Sequence, residues 1–324
     1  MKRSLSFGLL FIVINSLAQE DSTIIIKTPI KAEGADTKVF YSQKLINTKT
    51  VEVLRKGILE FNVAHNFGDI AGDDGGISEF YGLDNASDVR IGFQLGLSDK
   101  MNLVLSRTRG AGVVKQMWEV GLKYQLLKQK DNDPSHPFSL TIFANDVISS
   151  QTTTAPDSLN QLPDSMVTEN SYLKSSERQS QVVQVLIARK FGNVSLQLNP
   201  IYLHTGLVLP GDQASIFALG AGIRLPLSKK IILIADYFHP FRSESTTQYF
   251  DTSFGIRFYD AFGIGLEILT EGHVFHINFT NAKEILENRF IRRTTSSWGE
   301  GQFRWAFTIS RNFVLFRDKK TKGN

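Results

Sequence analysis

Several things are missing from this chain, and each absence removes a class of explanation. There is no cysteine among its 324 residues, so no disulfide, thiolate metal ligand or cysteine nucleophile is available. Proline is sparse, with 9 copies, mostly at the ends of apolar stretches. That distribution suits long strands, because a proline inside a central strand removes a ladder donor. After the first two dozen residues no apolar run approaches the ~18 residues a membrane helix needs. Neither sign of charge dominates: Lys and Arg total 36 and Asp and Glu 32, for a formal charge of +4. Such a small excess gives no reason to expect a nucleic-acid partner.

Chemistry-bearing motifs are also scarce. No Gly-x-Ser-x-Gly elbow occurs, so no catalytic residue is assigned. His65, His204, His239, His273 and His276 could each supply a base, but the sequence pairs none of them with a nucleophile. Asp69, Asp73 and Asp74 with Gly72, Gly75 and Gly76 form an acidic glycine-rich loop that lacks the closing Glu of a calcium loop. No phosphate-cradling motif is present, and no metal or cofactor is expected.

What the chain does have begins at its first residues. Lys2 and Arg3 precede an apolar stretch from Phe7 to Ile14, and Ser16-Leu17-Ala18 follows. Charge, apolar core and cleavage spacing come in the order of a secretory signal, so residues 1–18 are expected to be removed on export. Loss of Lys2 and Arg3 takes the formal charge from +4 to +2. An exported chain without an apolar helix that resides in a membrane must do so as a closed barrel. Every backbone polar group in lipid needs an internal partner.

Period-two alternation runs through the rest. Val89, Ile91, Phe93, Leu95 and Leu97 alternate with Arg90, Gly92, Gln94, Gly96 and Ser98. The same scheme recurs over 117–126, 217–225, 254–258 and 303–310. It is noisier over 57–67, 101–109, 137–146, 179–190, 193–203, 231–239, 262–269 and 273–280. A helix would need spacing of three and four. Segment lengths approach the ~9–11 residues that cross a bilayer as a tilted strand. Aromatic residues gather at segment ends, among them Trp118, Tyr124, Tyr202 and Tyr237, as interfacial girdles require. The expected fold is an all-β, antiparallel, transmembrane up-and-down β-barrel of about 12–14 strands in the outer membrane. Thirteen candidate segments break the even count of bacterial barrels. The ambiguous region is 281–301, which reads either as a poor strand or as a short helix.

Connections alternate in length. Short ones fall at Ser98-Asp99-Lys100, Phe191-Gly192-Asn193, Ser228-Lys229-Lys230 and Tyr259-Asp260-Ala261, and long ones at 68–87, 149–178, 204–215 and 240–250. Short turns belong on the periplasmic side. The expected layout is a signal over 1–18, a periplasmic tail or plug over 19–56, the barrel over 57–316 and a basic polar tail over 317–324. Arg90, Glu119, Lys123, Arg224, Arg257, Glu267 and Arg304 fall on the expected lumen face. Their basic balance suits a passive porin-like channel for small anionic solutes. Interior ion pairs closing a narrow barrel suit a non-conducting structural or docking protein equally well. Partners are outer-membrane lipid and, for a channel, small solutes. A barrel enzyme and a soluble β-protein are further alternatives. The glycines Gly220, Gly222, Gly263 and Gly265 are expected to relieve crowding inside the barrel.

Four stretches carry a family resemblance. They are Leu59-Glu60-Phe61 through His65-Asn66-Phe67-Gly68; Tyr81-Gly82-Leu83-Asp84-Asn85-Ala86 with Val89-Arg90-Ile91-Gly92; Gly272-His273-Val274-Phe275 with Asn278-Phe279-Thr280-Asn281; and Ser297-Trp298-Gly299-Glu300-Gly301 with Ile309-Ser310-Arg311. Together they span roughly residues 45–316. The chain resembles an uncharacterised outer-membrane β-barrel family of Bacteroidetes-type bacteria, a domain of unknown function. The resemblance implies a barrel at the outer membrane and carries no activity.

Overall fold

A computed structural model describes residues 34–72, 74–110, 112–155 and 161–316. The expected signal, the first part of the tail or plug segment and the C-terminal tail lie outside the described residues.

Twelve strands form one closed antiparallel barrel. They are β1 (Ile58–Asp69), β2 (Ala86–Ser98), β3 (Met101–Gly110), β4 (Gln116–Leu127), β5 (Ser139–Ser149), β6 (Gln179–Phe191), β7 (Val194–Thr205), β8 (Ser215–Pro226), β9 (Ile231–Phe241), β10 (Ala261–Leu269), β11 (Val274–Thr280) and β12 (Arg304–Val314). Each strand pairs with its sequence neighbour, and β1 pairs with β12 to close the wall. This is the up-and-down arrangement, which leaves no sheet edge.

The two faces invert the pattern of a soluble protein. Along β4, Trp118, Val120, Leu122, Tyr124 and Leu126 all point outward, each about half exposed. Met117, Glu119, Gly121, Lys123 and Gln125 point inward and are buried. The outer band of exposed Ile, Leu, Val and aromatic side chains continues around the wall, at Phe93, Leu105, Ile142, Leu198, Phe217 and Ile277. An apolar band of that extent in water would be an aggregation surface, whereas in lipid it is matched to its solvent. No helix among the described residues is long and apolar enough to cross a membrane.

One expected strand is absent. Residues 254–258 do not join the wall. Helix α1 (Glu244–Phe254) is capped by the Ser243 hydroxyl, which accepts from the Thr246 N–H, and it ends at Gly255 in the left-handed region. The glycine at that C-terminal cap breaks the helix, and the short alternation Phe254, Ile256, Phe258 belongs to the exit from it. Removal of this segment gives the even strand count. It also moves the expected short turn at 259–261 into a single long connection, 242–260, at the opposite end of the barrel.

With that correction the connections alternate between the two ends, short at one and mostly long at the other, although 128–138 is longer than 111–115. The end carrying residues 58 and 314 has the connections 99–100, 128–138, 192–193, 227–230 and 270–273. The other end has 70–85, 111–115, 150–178, 206–214, 242–260 and 281–303. The last of these holds a second helix, α2 (Glu287–Arg293).

Candidate functional site

Residues 34–57 precede β1 and have almost no regular structure, yet most of 37–54 is buried. Their partners show where they lie. The Leu54 N–H donates to Asn102 on β3, and Thr141 on β5 donates to the Val51 carbonyl. The Val51 N–H donates to Gln197 on β7, and Ser42 donates to Glu267 on β10. A segment that touches β3, β5, β7 and β10 of one closed wall can only be inside it. We call it the plug.

The plug is held by polar groups on the wall. Asp236 on β9 accepts four hydrogen bonds, from the N–H groups of Ile46 (3.1 Å), Asn47 (2.6 Å) and Thr48 (2.9 Å) and from Asn47 Nδ2 (2.9 Å). Gln197 accepts from the Val51 N–H at 2.9 Å and donates to the Lys49 carbonyl at 2.8 Å. A chain without a helix or ladder of its own must find partners for its backbone groups, and the barrel wall supplies them. Phe40, Leu45, Ile46 and Val51 add an apolar contact with Val104, Phe143, Leu186, Ile232 and Ile234. The wall makes room with glycine. A Cβ on Gly222 would lie 2.6 Å from Leu45 Cδ1, and one on Gly263 would lie 2.6 Å from Ile46 Cγ2.

From the long-loop end the connection 281–303 folds down as a lid. Residues 284–292 are all buried, including four charged side chains. Phe290 packs edge-on against Phe238 of β9, at 4.9 Å between centroids, within an apolar cluster that includes Val182, Leu203 and Ile291. Leu286 packs against Met117 and Val147 on the other side. Arginines tie the lid to the surrounding loops. Arg289 Nη2 lies 2.5 Å from Glu169 and its Nε 2.9 Å from Glu284. Arg292 Nη1 lies 3.1 Å from Asp212, and Arg293 pairs with Glu169. Burial opposes the Glu169 charge, but the guanidiniums of Arg289 and Arg293 outweigh it and hold the carboxyl down at about 2. Burial pushes the Glu284 carboxyl above the usual carboxylate range despite Arg289.

Plug and lid meet through one ammonium group. Lys49 Nζ lies 2.8 Å from both Glu287 oxygens and 3.0 Å from Glu119 Oε1. Glu119 Oε2 in turn accepts from Arg90 Nη2 at 2.8 Å and from Ser106 at 2.7 Å, while its Oε1 also accepts from Asn145 at 2.8 Å. All these groups are nearly inaccessible to solvent. Such a cluster is sustained only because every charge has a partner of opposite sign and further hydrogen bonds.

The seven residues expected on the lumen face have different fates. Arg90 and Glu119 belong to this cluster. Lys123 Nζ donates to Gln43 at 3.0 Å and to the Glu52 carbonyl. Arg224 Nε lies 2.9 Å from Glu267, which also accepts from Ser42 at 2.7 Å. Arg304 pairs with Asp69 and donates to Ser296 at 3.0 Å. All six are buried on the inner face of the wall. Arg257 is the correction. It follows α1, its side chain is 68% exposed, and it pairs with Asp251 at 3.0 Å. Lys49, Asp236 and Glu287 were not anticipated, because nothing in the sequence marks which interior charges face a strand and which face the plug.

The remaining candidates stay dispersed. His204 Nδ1 lies 2.9 Å from Ser215 Oγ across β7 and β8, but that hydroxyl also bonds Tyr202. His276 is buried against Glu267 at 3.4 Å. Among the described residues no group of three or more His, Asp or Glu is placed to hold a metal ion.

These features define a class: a membrane β-barrel of twelve strands whose lumen is filled from both ends. The chain belongs to the family described as "Membrane bound beta barrel domain (DUF5777)", whose model matches residues 40–313. The family is therefore the one the four sequence stretches suggest, and its match begins within the plug. No curated protein matches the chain. Among solved structures, the NanC porin aligns with 80% of this chain and 100% of its own, at 8% identity and a TM-score of 0.45. The KdgM porin, solved in complex with disordered oligogalacturonate, aligns with 78% of this chain and 99% of its own, at 10% identity and the same TM-score. Salmonella typhi OmpF, in complex with daunomycin, gives 8% identity and a TM-score of 0.37 over 79% of this chain and 97% of its own.

Proposed function

We propose that this protein is an outer-membrane barrel that is closed to passive diffusion at rest. In this reading the short turns face the periplasm, the long loops face outward, and the outer apolar band meets lipid. It favours the non-conducting reading of the sequence over the open channel. The observation that carries it is the meeting of plug and lid at Lys49, between Glu119 and Glu287. A path for ions would have to pass through that contact. The test is conductance in planar bilayers. The intact chain should give no discrete steps, whereas a chain lacking residues 34–56 and the lid helix 287–293 should conduct. Steady conductance from the intact chain would overturn the proposal.

A second reading, a porin-like channel gated by plug release, is favoured by the character of the wall. The plug contacts are largely hydrogen bonds and ion pairs, which water can replace. The emptied lumen would expose Arg90, Lys123, Arg224 and Arg304 against Glu60, Asp69, Asp88, Glu119, Asp236 and Glu267, so conductance of the truncated chain should prefer cations. Anion preference would count against this reading alone.

A further inference from the structure

Above the lid lies a cavity of about 740 Å³, at the long-loop end. Lid residues Lys283, Glu284, Arg289 and Arg293 line it, with loop 150–178, loop 206–214 and the end of α1. It lies on the side of the lid away from the plug and does not depend on whether the lumen conducts. Its volume falls within the ~300–1,000 Å³ of small-molecule sites, and its lining sets an apolar patch beside charged side chains.

The apolar lining comes from Val113, Leu209, Pro210, Tyr249, Phe254 and Ile256. Val113, Tyr249 and Phe254 are exposed, Phe254 at 57%. These residues belong to connections, not to the wall strands, so the lipid-facing band does not account for them. The aromatic pair is fixed in place. Tyr249 and Phe254 pack edge-on at 5.7 Å, and both lie against Phe250, which is fully buried. Gly211, at a φ of +81°, lets the loop backbone approach the Tyr249 ring; a Cβ there would lie 2.4 Å from it.

The charges around the cavity do not cancel evenly. Arg289 and Arg293 are committed to Glu169 and Glu284. Arg257 is engaged by Asp251. The Lys283 ammonium has no hydrogen-bond or ion-pair partner among the described residues, although its own carbonyl accepts from Asn66. Asp164 is exposed in loop 150–178. One cation without a partner among the described residues therefore lines the same cavity as the fixed aromatic pair.

We propose that this cavity binds a small amphipathic anion, with a flat apolar body on Tyr249 and Phe254 and a carboxylate, sulfonate or phosphate on Lys283. Charge-assisted hydrogen bonds hold the anionic end, and ring contact with exclusion of water holds the body.

Calorimetry on the full chain in phosphatidylcholine nanodiscs tests this, with naphthalene-2-sulfonate as probe and empty nanodiscs as the baseline for partition into lipid. The sulfonate should bind saturably at one site. The neutral naphthalene-2-sulfonamide should bind at least about fivefold more weakly, and Lys283→Gln and Phe254→Ala should each weaken the sulfonate by at least about fivefold. Lys283→Arg should stay within about twofold of the parent, which separates charge from folding. No saturable binding, or binding that neither variant weakens, overturns the site. Weakening by Phe254→Ala alone overturns the anionic assignment.

Discussion

The plug and the lid fill the same lumen by opposite means. The plug has no helix and no strand, and it borrows hydrogen bonds from the wall through Asp236, Gln197, Asn102 and Thr141. The lid carries its own helix and is fastened by an apolar cluster and by arginines that reach loops above the wall. The plug has few backbone hydrogen bonds of its own, such as Leu45 N–H to the Thr48 carbonyl and Thr50 N–H to the Gln43 carbonyl, and so depends on polar groups of the wall; the lid helix satisfies more of its own backbone. The wall differs at the two places. Facing the plug it sets carboxylates and amides among Val104, Phe143, Leu186, Ile232 and Ile234, and facing the lid it offers Val182, Leu203, Ala218 and Phe238.

The sharpest way to break the comparison is at the group both segments share. Lys49→Ala leaves Glu119 and Glu287 buried without their common cation, and should cost roughly 3–5 kcal/mol. Thermal unfolding in detergent micelles, followed by heat-modifiable gel migration, measures it. A change within error would mean that plug and lid are held independently. Asp236→Ala should come next, at about 3 kcal/mol, since it strands four buried donors. Hydrogen exchange should accelerate at the amides of 46–48 and leave those of 287–293 protected; equal acceleration in both would show one cooperative unit. Ile291→Val removes one methylene from the lid cluster alone and should cost about 1 kcal/mol, with no loss of protection in the plug.

The smallest effect at neutral pH concerns Glu169. Its folded carboxyl titrates at about 2, against 4.5 ordinarily. A depressed acid stabilises the state in which it is depressed, so its contribution to lid docking is complete above about 4.5 and fades as pH falls toward 2. Fluorescence of Trp298, in the lid connection, should report loosening over that window. Glu169→Gln should flatten the response, and an unchanged acid transition in that variant would remove Glu169 as its source.

Much of the wall was legible because lipid and lumen impose a strict period of two on every strand. The error at 254–258 has a physical cause: three apolar residues at alternating positions satisfy the same period when a helix ends on glycine. The signs against a strand were present, in Ser243 before Glu244 and Gly255 after Phe254. The plug was harder to see, because irregular backbone has no period. Its imprint was nonetheless in the wall, at Gly222 and Gly263 on inward positions of β8 and β10. There the missing side chains correspond to Leu45 and Ile46. The stretch Ser297 to Gly301 is also explained. Trp298 stacks on Phe303 at 4.3 Å and donates to the Phe262 carbonyl, which returns the lid connection to the wall.

Closure of the seam between β1 and β12 places a limit on how this molecule can be assembled. The plug is synthesised before any strand, and the lid only just before the last one. Lys49 and Glu287 are separated by 238 residues, so their contact has no local precursor and waits for nearly the whole chain. The lid hangs between β11 and β12, so its docking on Lys49 belongs to the same late stage as the pairing of the last strand.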